Sequence, residues 1–181
     1  YEEIEVKLGG GETAYLSKPR YRIDDPGYGP VHPEIQLSPR VAPQMIGLGL
    51  IEQIHPHDIC ANADPEDRDG DGVKGHLSTT RDAKTGKLVI GRFGWKASMP
   101  FIDAQSAGAF AGDIGISTPL VPNPWGDCTR NHPECLGMPA GMEKNTAATE
   151  APDPVLPLVV HYSRNLAVPA RRDVDDPVVL R

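Results

Sequence analysis

The chain lacks the features that most directly assign a protein to a class. Its 181 residues contain only three cysteines, none in a CxxC or CxxCH pattern. It has no apolar run as long as a membrane span, and its first residue is Tyr1 rather than Met, so we expect no signal peptide within it. Positive charge is scarce, with 18 Lys and Arg against 25 Asp and Glu and a formal net charge of −7. We therefore expect no nucleic-acid partner and no transmembrane segment, and we expect a piece of a longer protein.

Glycine and proline are abundant instead, with 19 of each, while hydrophobic residues make up 39% of the chain. The Gly and Pro content exceeds average usage without reaching the level typical of disordered chains. A chain of this length can bury one core of ordinary size. The composition predicts an ordered, loop-rich protein with short helices and few strands.

The order of polar and apolar residues predicts where these elements lie. Residues 2–8 and 13–23 alternate around GGGE, which predicts a β-hairpin. Further along, apolar residues recur at helical spacing after Ser, Asp or Pro, residue types that suit a helix start. The predicted helices run from Ser38 and Pro39 to about Ile54, over a short stretch after Pro56, over 98–112 with Ser98 as the cap, and from Asp153 onward. The stretches 24–37, 64–87 and 117–152 are predicted to be loops.

An acidic glycine loop, DPEDRDGDGVKG, occupies residues 64–75. Three aspartates alternate ahead of a glycine, as at positions one, three, five and six of a calcium loop: Asp67, Asp69, Asp71 and Gly72. Position twelve, a bidentate Glu in a regular EF-hand, is Ser78. Two interpretations remain open. One is a looser calcium site that also uses the Val73 carbonyl, and the other is a solvated turn whose Asp side chains bond their own backbone.

Cysteine and histidine form few ligand patterns. Cys128 and Cys135 lie in GDCTRNHPEC, where they form either a local disulfide in an oxidising compartment or two exposed thiols. Cys60, in HDICANA, is expected to be a buried small residue. No pair among the six histidines has zinc-site spacing. His32, in the Pro- and Gly-flanked loop YGPVHPE, is a candidate ligand, although a lone loop histidine usually has no such role.

The stretch RFGWKASMPFIDAQSAGAFAGDIG, residues 92–115, places a Trp, a Gln and an Asp among small residues. Trp95 follows a Phe-Gly pair, and Gln105 and Asp113 come after it on the predicted helix. Taken alone, Trp95 could belong to the core, Gln105 could bridge helices and Asp113 could be a turn residue. The stretch raises the question of what would need a Trp beside so tight a backbone, with a Gln and an Asp behind it.

Four blocks of the chain carry a resemblance to a known family. They are YGPVHPEIQLSPRVAPQMIGLGLIEQI, ADPEDRDGDGVKG, GRFGWKASMPFIDAQSAGAFAGDIGI and LVVHYSRNLAVPARRDVDDP. Together they resemble the di-haem oxidoreductase family, also labelled thiol oxidoreductase or CxxC-motif proteins. That family is related to bacterial di-haem cytochrome c peroxidases and MauG-like enzymes. The resemblance implies a mainly α, loop-rich fold with a small N-terminal β-hairpin, the inter-haem part of a di-haem cytochrome c peroxidase-like fold.

The family binds two c-type haems, each through a CxxCH motif, and this chain resembles the segment between those motifs. The resemblance implies that residues 1–181 are a single fragment of a larger chain. Its parts would be a β-hairpin at 1–23, a helical haem-pocket region with the Asp-rich loop at 24–116, an irregular loop at 117–152, and a helix with the lead-in to a second haem domain at 153–181.

The resemblance also implies roles for single residues. Trp95 would relay an electron between the haems. Gln105 and Asp113 would be catalytic groups over the open haem, where a proton must move as the O–O bond of a peroxide breaks. His32 becomes a candidate axial ligand of haem iron, with weaker candidates in Met45 and Met99. Arg40, in SPRVAP, would bind a haem propionate or, equally, close a surface salt bridge.

The implied function is that of a segment of a di-haem c-type cytochrome oxidoreductase, peroxidase-like, in the bacterial periplasm or otherwise exported. Its partners would be an electron-donor protein or small redox partner and the rest of the parent chain, and the isolated fragment would be inactive. The thiol oxidoreductase label gains no support, because the three cysteines form no CxxC pair. The alternative is a non-enzymatic calcium-stabilised scaffold or interaction domain, which the Asp loop and the Gly and Pro content would fit.

Overall fold

A computed structural model of the chain describes residues 1–27, 29–126, 128–142 and 148–178. The chain divides into two compact units, Tyr1–Ala42 and Pro43–Arg181. Parts of the predicted irregular loop 117–152 and of the predicted lead-in 153–181 lie outside the described residues, namely Asp127, 143–147 and 179–181.

The first unit is built on a β-hairpin. Strands β1 (Glu2–Lys7) and β2 (Thr13–Lys18) pair antiparallel, with Glu2 opposite Lys18 and Lys7 opposite Thr13. The connecting turn Gly9–Gly11 contains two glycines at positive φ, a conformation that glycine adopts without strain. The predicted hairpin is therefore confirmed. Its second strand stops directly before Pro19, which has no N–H to offer the strand pairing.

The second unit contains short helices and a two-stranded sheet. Its helices are α1 (Leu48–Gln53), α2 (Pro56–Ala61), α3 (Ile102–Ile114), α4 (Pro133–Leu136) and α5 (Val155–Asn165). Strands β3 (Thr79–Arg81) and β4 (Leu88–Ile90) pair antiparallel. Among the described residues, every helix is too short or too polar to cross a membrane.

The core of the second unit lies where α1, α3 and α5 meet. Its buried side chains come from these helices and from the segment before α3: Leu48, Phe93, Ile102, Ala107, Leu156 and Val160. Ile102 and Ala107 are fully buried. Small residues on α3 let the helices approach closely, so a short helix can bury its apolar face.

The predicted mainly α fold is wrong. Helices account for 25% and strands for 14% of the structure, in a low-content mixed fold with two small antiparallel sheets. Strand β3 lies inside the polar loop predicted over 64–87, and β4 follows directly after it. The turn between the two strands is closed by Asp82, which accepts hydrogen bonds from the Lys84 N–H at 3.1 Å and the Thr85 hydroxyl at 2.6 Å.

The helix predicted from Ser38 is also wrong, since residues 39–45 are not helical and α1 begins only at Leu48. Pro43 explains the difference, because its ring would clash with the carbonyl four residues earlier and it has no N–H to donate. Gly47 then enters α1 from the left-handed region, with φ 70°.

The helix predicted over 98–112 exists but is shifted. It begins at Ile102, and Phe101 rather than Ser98 is the residue before its first turn. An isolated β-bridge between Phe93 and Met99 keeps residue 99 extended, and Pro100 favours the same conformation in the residue before it. The helices predicted after Pro56 and from Asp153 are confirmed as α2 and α5.

Candidate functional site

A tight turn presents the Trp95 side chain to solvent. The backbone of Phe93 exchanges hydrogen bonds with Met99, at 2.9 and 3.1 Å, and the Ala97 N–H donates to the Gly94 carbonyl at 3.2 Å. These bonds fold residues 93–99 back on themselves. Trp95 lies near the tip and is 61% exposed. This exposure contradicts a core position for Trp95 and leaves its ring free to contact another group.

Helix α3 lies directly behind this turn. A Cβ built at Gly94 would come 3.3 Å from Gln105 Oε1, so the amide of Gln105 lies against the turn backbone beside Trp95. Gln105 Oε1 is buried and has no hydrogen-bond partner among the described residues, and the same is true of Ser106 Oγ. A buried polar atom without a partner is costly, and a strained position, a catalytic role or a bound water or ion can account for one. The structure thus brings Trp95 and Gln105 into the same region.

Arg92 fixes the turn to the end of α1. Its Nη1 donates to the carbonyl of Ile51 at 3.1 Å and to that of Ile54 at 2.5 Å. The last carbonyls of a helix have no partner within the helix and carry partial negative charge, so a guanidinium satisfies both needs.

Glu52 joins α1 to the two other core helices. Its carboxylate accepts from the Ile102 N–H at 3.0 Å and from Arg164 Nε at 2.7 Å, and its side chain is 18% exposed. Partial burial raises the pKa of Glu52, but the hydrogen bonds from Arg164 and Ile102 outweigh it, so the pKa lies below its ordinary value. The same contact with Glu52 raises the pKa of Arg164.

Asp113 lies at the far end of α3 and is exposed. Eight residues separate it from Gln105, which corresponds to about 12 Å along a helix axis. The two side chains proposed to share a pocket are therefore not adjacent. A carboxylate in the last turn of a helix also faces the negative end of the helix dipole, which offers it no stabilisation.

His32 and Arg40 belong to the first unit and are exposed. His32 Nδ1 accepts a hydrogen bond from the Glu34 N–H at 3.2 Å. In the neutral ring this contact leaves the proton on Nε2, so binding iron through Nε2 would require the other tautomer and the loss of the Glu34 contact. Arg40 Nε donates to Ser38 Oγ at 3.3 Å. No acidic partner for the predicted alternative, a salt bridge, is found among the described residues.

The predicted acidic loop forms a compact turn closed by a β-bridge between Asp64 and Gly75. Asp67, Asp69 and Asp71 each bring a carboxylate oxygen within 4.8 Å of the others. Each also accepts a backbone hydrogen bond inside the loop, the shortest being from the Val73 N–H to Asp71 Oδ1 at 2.7 Å. The structure thus contains the local bonds of a solvated turn together with the convergence that a cation requires.

The structure decides two of the predictions made for the cysteines. Cys128 and Cys135 form a disulfide, with Cα atoms 6.2 Å apart, which confirms the first of the two predicted alternatives. Cys60 is a free, exposed thiol near the end of α2, so its predicted burial is wrong. Of the two weaker methionine candidates, Met45 is exposed, whereas Met99 is partly buried against the core.

A cleft of about 420 Å³ lies on another side of the second unit, against α5. Leu120, Leu156 and Val160 form its apolar part, and Lys84 and Arg164 are at its edge. Both cations already have acidic partners, because Lys84 pairs with Asp103 and Arg164 with Glu52. Among the described residues, Asp153 is the charged side chain of the lining that has no ion-pair partner, and a single carboxylate at a largely apolar cleft does not define a ligand.

The sequence reasoning missed Arg92, Glu52 and Arg164. Glu52 and Arg164 are 112 residues apart in the chain, and their partners include backbone groups at helix ends. Spacing rules cover only local neighbours, so a single sequence carries no signal for such a contact. The Arg92 contact likewise crosses about 40 residues and depends on where α1 ends.

The residues present fit a haem only in part. The exposed Trp95 ring and the open space beside Gly112 leave room for a flat group, whereas the unpartnered Gln105 oxygen is buried against the backbone of Gly94. Gly108, in contrast, is close to Met99, where a Cβ would come 3.1 Å from its methyl carbon. Covalent attachment does not fit, because the chain has no CxxCH.

Comparison with known proteins gives one match. A family model described as "Di-haem oxidoreductase, putative peroxidase" matches residues 30–181. No curated protein and no solved structure matches the chain. The matched range begins after the β-hairpin and contains all the residues predicted to form the site.

Proposed function

Since the chain belongs to the di-haem oxidoreductase family, we propose that it is the inter-haem segment of a peroxidase-like c-type cytochrome. In this proposal the parent protein takes electrons from a donor protein or small redox partner and delivers them to hydrogen peroxide. Each peroxide takes two electrons and two protons and yields two waters. The observation that carries the proposal is the exposed Trp95 ring on a rigid turn beside the unpartnered oxygen of Gln105.

The haems, when bound, supply one-electron redox chemistry through their iron. The residues of this chain would relay electrons, orient the substrate and move protons. Trp95 offers an indole that can give up and regain one electron between two cofactors. Gln105 offers an amide that can orient a small polar substrate by hydrogen bonding. Asp113 offers a carboxylate whose oxygens can take and release a proton.

His32 and Arg40 are proposed to contact a haem supplied by the parent chain. Arg40 would bind a propionate through its guanidinium nitrogens. His32 would ligate iron only after its proton moves from Nε2 to Nδ1, so the contact with Glu34 would have to open. The disulfide supports an exported, oxidising location such as the periplasm, because disulfides persist in such compartments.

The test uses the full-length parent protein, produced in a host that matures c-type cytochromes. We expect an absorption spectrum of c-type haem with two haems per chain and a spectral change on adding peroxide. Trp95→Phe should keep both haems and lower peroxide turnover at least tenfold. Trp125→Phe is the matched control, since Trp125 is also exposed, at 39%, and should leave turnover unchanged.

Two results would count against the proposal. A colourless, folded full-length protein would remove the haem assignment altogether. A coloured protein in which Trp95→Phe and Trp125→Phe behave alike would remove the relay role of Trp95 and leave the family membership intact.

A calcium site is a second candidate function, favoured by the convergence of Asp67, Asp69 and Asp71 within 4.8 Å. We propose that these carboxylates and the Val73 carbonyl hold one Ca²⁺, a cation that prefers oxygen ligands in a tight glycine turn. Such a site could stabilise a haem protein or, as the alternative function, a non-enzymatic scaffold or interaction domain.

Thermal unfolding of the full-length protein tests the calcium site. At a Ca²⁺ concentration 100 times the dissociation constant, binding would stabilise the folded state by about 2.7 kcal/mol and raise Tm. Changing Asp67, Asp69 and Asp71 together to Asn should abolish that rise. Asp173→Asn with Asp175→Asn and Asp176→Asn is the control for lost charge. A rise in Tm that survives in the first variant would place the calcium elsewhere.

A further inference from the structure

Three elements that carry or support the candidate site meet at α1, a helix of six residues. The turn with Trp95 is held through Arg92, which donates to the carbonyls of Ile51 and Ile54. The helix with Gln105 is held through Glu52, which accepts the Ile102 N–H at the start of α3. Residues 51–54 therefore contact both arms of the site, which are the turn of residues 93–99 with its anchor Arg92 and the helix α3.

The third element that meets α1 is helix α5. Arg164 Nε donates to Glu52 at 2.7 Å, and α5 packs on the same core through Leu156 and Val160. The two carboxylate oxygens of Glu52 thus have different tasks. Oε1 accepts from the backbone of α3, and Oε2 accepts from the side chain of α5.

The direct contact between the two arms leaves little room for a side chain between them. The Gly94 backbone lies so close to Gln105 Oε1 that a Cβ there would come within 3.3 Å. This contact contains no hydrogen bond that would fix its geometry, because Gln105 Oε1 has no partner among the described residues. Apolar packing of Phe93 and Met99 brings the two arms together, and α1 adds hydrogen bonds to both of them.

We propose that Glu52 is a positioning residue of the candidate site, which fixes helix α3 and its Gln105 relative to the Arg92-anchored turn that carries Trp95. The inference rests on the proposed function only in treating Trp95 and Gln105 as parts of one working site. It states that a change at Glu52 alters the position of the groups around Trp95. Glu52 need touch neither substrate nor cofactor.

The experiment places 5-fluorotryptophan at position 95 of the full-length, haem-matured protein and records its fluorine NMR signal. Hydrogen exchange of the Ile102 amide is followed in the same samples by mass spectrometry. We expect Glu52→Ala to shift or broaden the fluorine signal and to raise the exchange rate of that amide at least tenfold. Glu150→Ala is the matched control. It removes another half-buried, hydrogen-bonded carboxylate, whose partners are Ser117 and Gly141, and it should change neither readout.

A second variant keeps the test decisive where Glu52→Ala does not fold. Glu52→Gln retains an oxygen that can accept the Ile102 N–H and loses the charge opposite Arg164. We expect it to move both readouts in the same direction by a smaller amount. A fluorine signal and an Ile102 exchange rate that both stay at wild-type values in the folded variant would overturn the proposal, and so would equal changes in the Glu150 control.

The outcome is separable from that of the proposed function. Absorption of the same samples reports whether haem is bound, whereas the fluorine signal and the amide exchange report the coupling in coloured and colourless protein alike. A colourless protein that shows the expected coupling would remove the haem assignment and retain the role of Glu52.

Discussion

At the scale of single residues, the second unit depends on carboxylates that are held by donors from distant parts of the chain. Glu150 is the clearest case besides Glu52. Its two oxygens accept from the Ser117 N–H at 2.9 Å, the Ser117 hydroxyl at 3.0 Å and the Gly141 N–H at 2.7 Å. The bond from the Ser117 N–H is the largest influence on the pKa of Glu150, and it lowers that pKa from the ordinary 4.5 despite partial burial.

A lowered pKa makes a defined prediction for acid stability. A carboxyl with a lower pKa in the folded state stabilises the fold above its unfolded pKa, near 4.5, and loses that contribution as pH falls through the folded pKa. We expect Glu150→Gln to lower the free energy of unfolding by about 1 kcal/mol at pH 7, and we expect the gap from wild type to narrow as pH falls below 4.5 and through the folded pKa. Urea unfolding at pH 7, 5 and 3.5 measures this.

The control is Glu66→Gln, which removes a charge from an exposed side chain. It should leave the free energy of unfolding at pH 7 nearly unchanged. A constant gap between wild type and Glu150→Gln at all three pH values would contradict the argument, because the loss would then not depend on ionisation of Glu150.

At the scale of elements, close backbone approach decides where side chains are allowed. A Cβ at Gly91, just after β4, would overlap the carbonyl oxygen of Ala97 in the Trp95 turn. Gly112, on the exposed side of α3, has nothing within 4 Å of the same position. Close packing therefore requires glycine at position 91, whereas no contact among the described residues requires glycine at position 112.

This contrast makes a paired prediction for stability. Gly91→Ala should destabilise the second unit by at least about 2 kcal/mol, since two backbones would have to separate. Gly112→Ala should stabilise it by up to about 1 kcal/mol, because alanine is the better helix former. Urea unfolding midpoints of both variants at neutral pH give the comparison. Equal effects of the same sign would show that the close contact between Gly91 and Ala97 is not maintained in solution.

The elements also show how far the sequence alone could go. The hairpin of residues 2–18 and the helix α5 were predictable because alternation, glycine turns and helical spacing are local signals. The helix predicted from Ser38 is wrong because Pro43, a residue that breaks helices, lies within the apolar stripe that suggested the helix. The hairpin β3–β4 failed because Thr79–Arg81 and Leu88–Ile90 are too short to show a period.

The candidate site was predictable only in its local part. Trp95 and Gln105 stand out in the sequence because they lie among small residues, and the structure places them together. The contacts of Glu52 and Arg92 were beyond reach, because each joins segments far apart in the chain and depends on helix ends that pattern alone places poorly. Asp113 illustrates the reverse case, since its nearness in sequence to Gln105 does not bring the two side chains together.

At the scale of the whole molecule, the second unit exposes much apolar surface for its small core. Leu50, Ile114, Leu158 and Tyr162 are each more than 60% exposed, as is Trp95. Where such residues form a contiguous patch, the patch is typical of a surface that another body covers. The proposed function supplies that body in the haems and the rest of the parent chain.

Chemical footprinting of the full-length protein tests this covering. From exposure in this chain alone, oxidation should modify Trp95, at 61%, more than Trp125, at 39%. We expect the order to reverse in the haem-loaded protein, with Trp95 the better protected of the two. Quantitative mass spectrometry of both tryptophans after brief hydroxyl-radical exposure measures the ratio. Greater modification of Trp95 in the loaded protein would mean that nothing covers the turn.

The bond between Cys128 and Cys135 has a consequence for the order in which the protein is made. On the proposed function, one polypeptide needs opposite treatments of its thiols, because a disulfide oxidises a pair whereas thioether attachment of haem requires reduced ones. A separation of only seven residues lets this pair meet with little loss of chain entropy. Early closure of the loop would remove both thiols from exchange before they could mispair with the haem-attaching cysteines of the parent chain. The small loop would then protect cofactor attachment elsewhere by being finished first.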